Sequence, residues 1–243
     1  MSDPVIKFEA MKTATAITMD LQEETKMYVQ KIRALTRWLA HDPENRGDLR
    51  AKWFGSRNPP KVVLMLTNMD KYLNERCSRL TFVSEKTGGY GAVWGSRMIQ
   101  ESPDNYRIGG VMSTNNRGKD ENRVWGDEIV SETEEDFQKE GGYLKVPSGL
   151  RIYIGSSYTA PPVSVGHGGL KTSTTLRVNT IFHEMTHKIL KTKDHPKPTG
   201  AGKCYGYTTC TNLALTNPGL AITNADNWGH FMAEVYKTEG YGV

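Results

Sequence analysis

The sequence predicts an α+β protein in which helices pack around a small sheet. Three observations point to it. Apolar residues recur at helical spacing over residues 20–40 and 60–76, β-branched and aromatic residues broken by glycine pairs fill 80–111, and Leu150, Ile152 and Ile154 alternate ahead of another helical stretch. At 243 residues the chain can bury one sizeable core. It reads as a single domain over 1–243, with a helical N-terminal part over 1–79 and a second part over 80–243. An apolar content of 37%, a charged content of 24% and the lack of low-complexity or fixed-period repeats exclude global disorder and a solenoid.

In the first helix the buried stripe is Tyr28, Ile32, Leu35 and Leu39, with charged residues between. Asn58-Pro59-Pro60 fits the start of the second, whose stripe is Val63, Leu66, Met69 and Leu73. Strands joined by turns at Gly88-Gly89 and Gly109-Gly110 follow. The polar stretch 113–142, with Glu132, Glu134, Glu135 and Asp136, reads as a loop and a short helix. Its charge fits a solvated face, and the alternative is a surface for a cationic substrate. Residues 143–146 and 150–154 read as short strands around Pro147-Ser148-Gly149, and the loop after them is made pliable by Gly166, Gly168 and Gly169. A helix resumes at 172–175, where hydroxyl side chains suit its first amides.

A net charge of +4 without a long basic run gives no nucleic-acid footprint. No stretch is long and apolar enough for a membrane span or a Sec leader, so no membrane partner is expected and localisation stays open, with secretion or delivery by a leaderless route as the expectation. Cys77, Cys204 and Cys210 are too few for a disulfide framework and lack CxxC spacing. Cys204 and Cys210 are spaced either to close a small loop or to remain thiols.

His183-Glu184-Met185-Thr186-His187 is an HExxH pattern. On a helix its histidines stand one turn apart, so both imidazoles reach one metal ion, and the glutamate between them is free to act as a general base. Val178, Ile181, Phe182, Met185 and Ile189 form an apolar stripe, and at about 100° per residue the histidines fall on nearly the opposite side. Two imidazoles leave a catalytic zinc one protein ligand short. The HExxHxxGxxH extension is excluded, because Leu190 and Lys193 stand where it needs glycine and histidine. Asp194 is the third-ligand candidate, with His195 and Glu234 as the alternatives. Two imidazoles and a carboxylate suit Zn2+ best among common metals.

This segment resembles the aspzincins, the deuterolysin and peptidyl-Lys metallopeptidase family, in which HExxH is followed by a GTxDxxYG motif whose aspartate binds the metal. Thr192-Lys193-Asp194 matches the TxD part, Tyr205-Gly206 the closing YG, and Asn224-Ala225-Asp226 the NAD segment before the last helix. The resemblance spans roughly 150–236. It departs at Lys191, which replaces the first glycine, and at residues 195–204, which exceed the two residues between aspartate and YG. It implies a zincin-like domain, a small sheet packed on the HExxH helix with additional N-terminal helices, and a zinc endopeptidase with His183, His187 and Asp194 as ligands and Glu184 as general base.

The resemblance also implies that the Tyr205 hydroxyl stabilises the oxyanion. Tyr207, Tyr236 and His230 are the alternatives read from the residues alone. Asp226 is expected to orient a metal-binding histidine or to cap the last helix, and His195 and His230 are further candidates for supporting the ligands. Trp228, Phe231, Met232 and Val235 read as that helix's core face. A protein or peptide is the expected substrate, and a lysine preference would need acidic groups lining the pocket. Peptidoglycan cross-links, cut by an effector-type hydrolase, and a non-enzymatic zincin binding module are the other readings. Oligomeric state stays open.

Overall fold

The computed structural model describes residues 3–10, 16–42, 44–57, 59–84, 98–101, 107–108, 149–154, 158, 173–198 and 202–241. The fold is α+β. Its sheet is formed by β1 (Val5–Ala10), β2 (Arg79–Ser84), β3 (Met98–Glu101), β4 (Arg107–Ile108) and β5 (Gly149–Ile154). They lie in the order β1-β2-β5-β3-β4, with β1, β2 and β5 parallel and β3 antiparallel to both β5 and β4. The predicted strand at 143–146, the polar stretch 113–142 and the glycine loop at 166–169 lie outside the described residues.

The helices among the described residues are α1 (Met19–His41), α2 (Gly47–Phe54), α3 (Pro60–Lys71), α4 (Ser173–Ile189), α5 (Tyr207–Thr216), α6 (Pro218–Thr223) and α7 (Ala225–Tyr236). Thr18 caps α1 by accepting from the Leu21 amide, and the α1 stripe, with Tyr28, Ile32, Leu35 and Leu39, is buried. Pro60 occupies the first turn of α3, where its missing N–H costs nothing. A π-helical turn, Tyr72–Arg76, then leads into β2.

The N-terminal part departs from the two expected helices in two places, a strand and an additional short helix. Val5–Ala10 is a strand at the sheet edge, held in register by β2 and by Phe8 stacked on Phe82 at 5.6 Å. Its residues are mostly exposed or half-buried, so no continuous apolar signal marks it. Helix α2 has eight residues and begins after Arg46 in the left-handed conformation (φ 55) without a side-chain cap. Too short for a clear periodicity, it still buries Leu49, Trp53 and Phe54.

One core cluster gathers residues from α1, α2, α3, the sheet, α4 and α7. Each large side chain fully buried there, such as Trp53, Phe182 or Phe231, stabilises the fold by about 1.5–3 kcal/mol. Helix α4 packs most extensively on α7. Gly229 permits that approach, because a Cβ there would stand 2.9 Å from the Asn179 carbonyl oxygen. The two helices that carry the candidate site are thereby locked together.

Candidate metal centre

Residues 183–187 lie in the C-terminal half of α4. Val178, Ile181, Phe182, Met185 and Ile189 are buried as the stripe predicted. The histidines, expected on the opposite side, are buried too: His183 is 7% exposed and His187 2%. The far side of α4 is therefore covered, by Thr192, Asp194 and Tyr205 and by α7, which makes it a closed polar site rather than a solvated face.

The chain reverses after α4. The Leu190 amide bonds the Thr186 carbonyl at 2.9 Å, Lys191 takes a left-handed conformation (φ 60), and the Thr192 amide returns to the Thr186 carbonyl at 3.4 Å. The Thr192 and Thr186 hydroxyls bond each other at 2.8 Å. This turn aims the Thr192 carbonyl at His187, whose Nδ1–H donates to it at 2.8 Å. The Nε2 lone pair is left facing inward. Lys193 then pairs with the end of α6: its amide bonds the Thr223 carbonyl at 2.9 Å, and its carbonyl accepts from the Ala225 amide at 3.0 Å. That bridge fixes Asp194.

The His183 and His187 Nε2 atoms are 3.1 Å apart, and Asp194 Oδ1 lies 3.3 Å from the first and 3.4 Å from the second. Asp194 Oδ1 is buried without a hydrogen-bond partner among the described residues. The other oxygen, Oδ2, accepts from the Tyr205 hydroxyl at 2.5 Å. Behind His183, Asp226 Oδ1 stands 3.4 Å from Nδ1. Asp226 Oδ2 accepts from the Gly206 amide at 2.6 Å and lies 3.4 Å from His230 Nε2. Gly206 reaches this position with φ 84, a conformation that disfavours any side chain. Glu184 is buried beside His183, its Oε1 3.8 Å from Nε2.

Electrostatics agree with the geometry. Burial pulls His183 and His187 downward, but Asp194, Asp226 and Glu184 outweigh it and hold His183 well above the ordinary histidine value, with His187 also raised. Burial pushes Asp194 up, and the two imidazoles overcome it, leaving the carboxyl well below its usual range. The pocket demands positive charge at its centre. Two Nε2 atoms with Nδ1 engaged elsewhere and a carboxylate oxygen without a hydrogen bond are the donor set of a zinc site, so these residues fit the metal.

Other predicted residues are directed elsewhere. His195 turns away from the cluster, its Nε2 2.7 Å from the Thr223 hydroxyl, because its amide is held by Asn224 Oδ1 at 3.2 Å. Glu234 is taken by Lys52 at 2.6 Å and by the Trp53 indole N–H at 2.9 Å. Neither alternative third ligand joins the cluster. Tyr207 packs edge-on against Trp53 and His230, Tyr236 packs against Tyr28, and His230 stacks on Trp53 at 5.0 Å. Tyr205 is the tyrosine brought to Asp194. Asp226 faces His183, and the N-cap of α7 is Asn224. Cys204 and Cys210 are free thiols.

Sequence reasoning missed the Thr192 carbonyl and the Gly206 amide. Backbone groups carry no residue-type signal, although both belong to the TxD and YG pairs. It also missed that α2 supports α7, where Asn227 Nδ2 donates to the Trp53 carbonyl at 2.8 Å.

Residues 150–233, from the second residue of β5 into α7, match the family model of the lysine-specific metallo-endopeptidases, the aspzincins. Over these residues the chain is similar to the aspzincins. No curated protein matches the chain. The aspzincin match encloses every residue of the cluster just described. Metallo-endopeptidase chemistry on peptide or protein substrates, with a bound metal, is what the family implies. None of the described helices is long and apolar enough to cross a membrane.

Proposed function

We propose that this chain is a zinc-dependent endopeptidase whose metal is held by His183, His187 and Asp194, with residues 1–243 forming one catalytic unit. The observation that carries the reading is the convergence of two Nε2 atoms on Asp194 Oδ1, a buried oxygen without a hydrogen-bond partner among the described residues. When bound, zinc supplies Lewis-acid polarisation of a carbonyl and lowers the pKa of water toward neutrality.

The remaining work falls to the chain. Thr192 and Asp226 hold the two imidazoles in the tautomer that keeps Nε2 available. Glu184, beside His183 and outside the ligand set, takes the proton of the attacking water and delivers it to the departing amine. The Tyr205 hydroxyl, now on Asp194 Oδ2, is a donor at the cluster and turns to the developing oxyanion. The burial of His183, Glu184 and His187 keeps these dipoles in a medium of low dielectric. The N-terminal helices are scaffold: α2 braces α7, and Glu24 on α1 accepts from Arg177 on α4 at 2.7 Å.

The test is a proteome-derived peptide mixture incubated with the zinc-loaded protein and with Glu184→Gln, new termini being read by mass spectrometry. Cleavage reduced roughly 10²–10⁴-fold in the variant at equal zinc content is the expected result. Absence of cleavage by either form overturns the peptidase.

A further inference from the structure

Asp226, His230 and Glu234 stand one helical turn apart on α7, so their side chains line one stripe of that helix. Trp53, near the end of α2, meets this stripe. Its carbonyl accepts from Asn227 at 2.8 Å, and its indole N–H donates to Glu234 Oε2 at 2.9 Å. Lys52 Nζ holds the same carboxylate at 2.6 and 2.8 Å. The indole lies flat on the His230 imidazole, with the ring centres 5.0 Å apart and the planes 6° from parallel, and Tyr207 packs edge-on against both rings. Trp53 and His230 are buried.

Seated in this way, the imidazole has one polar edge to use. Its Nε2 lies 3.4 Å from Asp226 Oδ2, whereas Nδ1 is buried without a hydrogen-bond partner among the described residues. A proton on Nε2 finds an acceptor and one on Nδ1 does not, so Nε2–H faces the carboxylate. The Gly206 amide at 2.6 Å and the Cys210 thiol at 3.4 Å converge on that same Oδ2, and Oδ1 is left for His183 Nδ1 at 3.4 Å. The last torsion of an aspartate is broad, so fixing Oδ2 is what keeps Oδ1 on the histidine. Gly206 and Cys210 hold the carboxylate from the segment around the start of α5, and His230 holds it from α7 itself.

We infer that His230 is a positioning residue for the metal centre: seated on Trp53, it holds Asp226 and, through it, the His183 imidazole, so that α2 acts on the site as well as on the fold. This role rests on the zinc site proposed above. Glu234 fixes the indole, the indole fixes the plane of His230, and His230 fixes Asp226, each through a contact that leaves the ligand set untouched. Losing a link therefore weakens the grip on zinc without removing a ligand.

The experiment measures zinc affinity of the full chain by competition with a chromophoric chelator. His230→Leu keeps bulk and removes the donor, with an expected loss of about tenfold. His230→Gln, whose amide can place an N–H near the position of Nε2, should recover most of it. Trp53→Phe keeps an aromatic face without the indole N–H and should weaken zinc by a smaller factor. Phe231→Leu, a core change on the same helix, controls for loosening of α7: it should lower thermal stability and leave zinc affinity in place. In an Asp226→Asn background His230→Leu should add no further loss, because it acts through that carboxylate. Affinity unmoved in His230→Leu, an equal loss in Phe231→Leu, or full additivity with Asp226→Asn overturns the positioning role, and affinity unmoved in Trp53→Phe overturns the part given to α2. One measurement needs no variant to fold: a proton–nitrogen NMR correlation of the histidine rings should show the His230 proton on Nε2, and a bare Nε2 overturns the role. None of these readouts depends on cleavage. A wild type that binds no zinc refutes the metal site itself, whereas zinc held through His230 by a chain that cuts no peptide refutes the peptidase and supports the positioning role.

Discussion

Among the described residues, two triads of metal-binding residue types lie side by side: His183, His187 and Asp194, and Cys210, Asp226 and His230. Both are tightly grouped, and they differ in what their donor atoms already do. In the first, Nε2 of each imidazole and Oδ1 of Asp194 point at one another, and the oxygen has no hydrogen-bond partner among the described residues. In the second, Asp226 Oδ2 accepts from the Gly206 amide and from the Cys210 thiol, and Cys210 also bonds the Cys204 carbonyl at 3.4 Å. Burial, and then the charge of Asp226, push the Cys210 thiol above its ordinary range, so its proton stays on the sulfur as the hydrogen bonds to Asp226 and the Cys204 carbonyl require. Residue type and proximity alone therefore do not make a site; donors left over after the fold's own hydrogen bonds do. The second triad braces the first through Asp226.

The largest test of this contrast is Asp194→Ala, which should abolish zinc retention and turnover, measured by metal analysis after gel filtration. The same loss should appear as lower thermal stability: a ligand at a thousand times its Kd contributes about 4 kcal/mol, so chelation should lower the wild-type Tm and leave that of the variant unchanged. Asp226→Asn comes next. It keeps the shape but weakens the hold on His183, with an expected 10–100-fold loss of zinc affinity in a competition titration. Cys210→Ser should leave zinc content and affinity unaltered and cost roughly 1–2 kcal/mol of stability in urea unfolding, the result that separates a brace from a second metal site. The smallest effect belongs to the turn. Lys191→Val should cost about 1–2 kcal/mol, because a β-branched residue resists positive φ, whereas Lys191→Gly should be tolerated.

Legibility followed the range of the interactions. The stripes of α1 and α4 could be read because each helix buries a face whose period the residues carry. Helix α2 and strand β1 could not. The first is too short to establish a period, and the second is an edge strand half turned to solvent. The histidines were legible as a pair on the side opposite the apolar stripe, but their burial was not, since helical geometry describes angles around one axis and says nothing of what covers the far side. His195 and Glu234 stayed open in the sequence for a similar reason: their partners, Thr223 and Lys52, come from other elements.

By itself, then, the sequence determined the helical spacing of His183 and His187, the presence of Glu184 between them, and a carboxylate within reach of a chain reversal. These follow from covalent order and the pitch of one helix. Tertiary structure decided which carboxylate arrives, because Asp194 is aimed by the turn at Lys191 and the bridge from Lys193 to the end of α6. It also decided that Tyr205 returns to Asp194 despite the residues inserted before it, since the Cys204 amide bonds the His195 carbonyl and brings the two ends of the insertion together. Such hydrogen bonds join groups that no local period relates, and they form only when the distant helices are already in place.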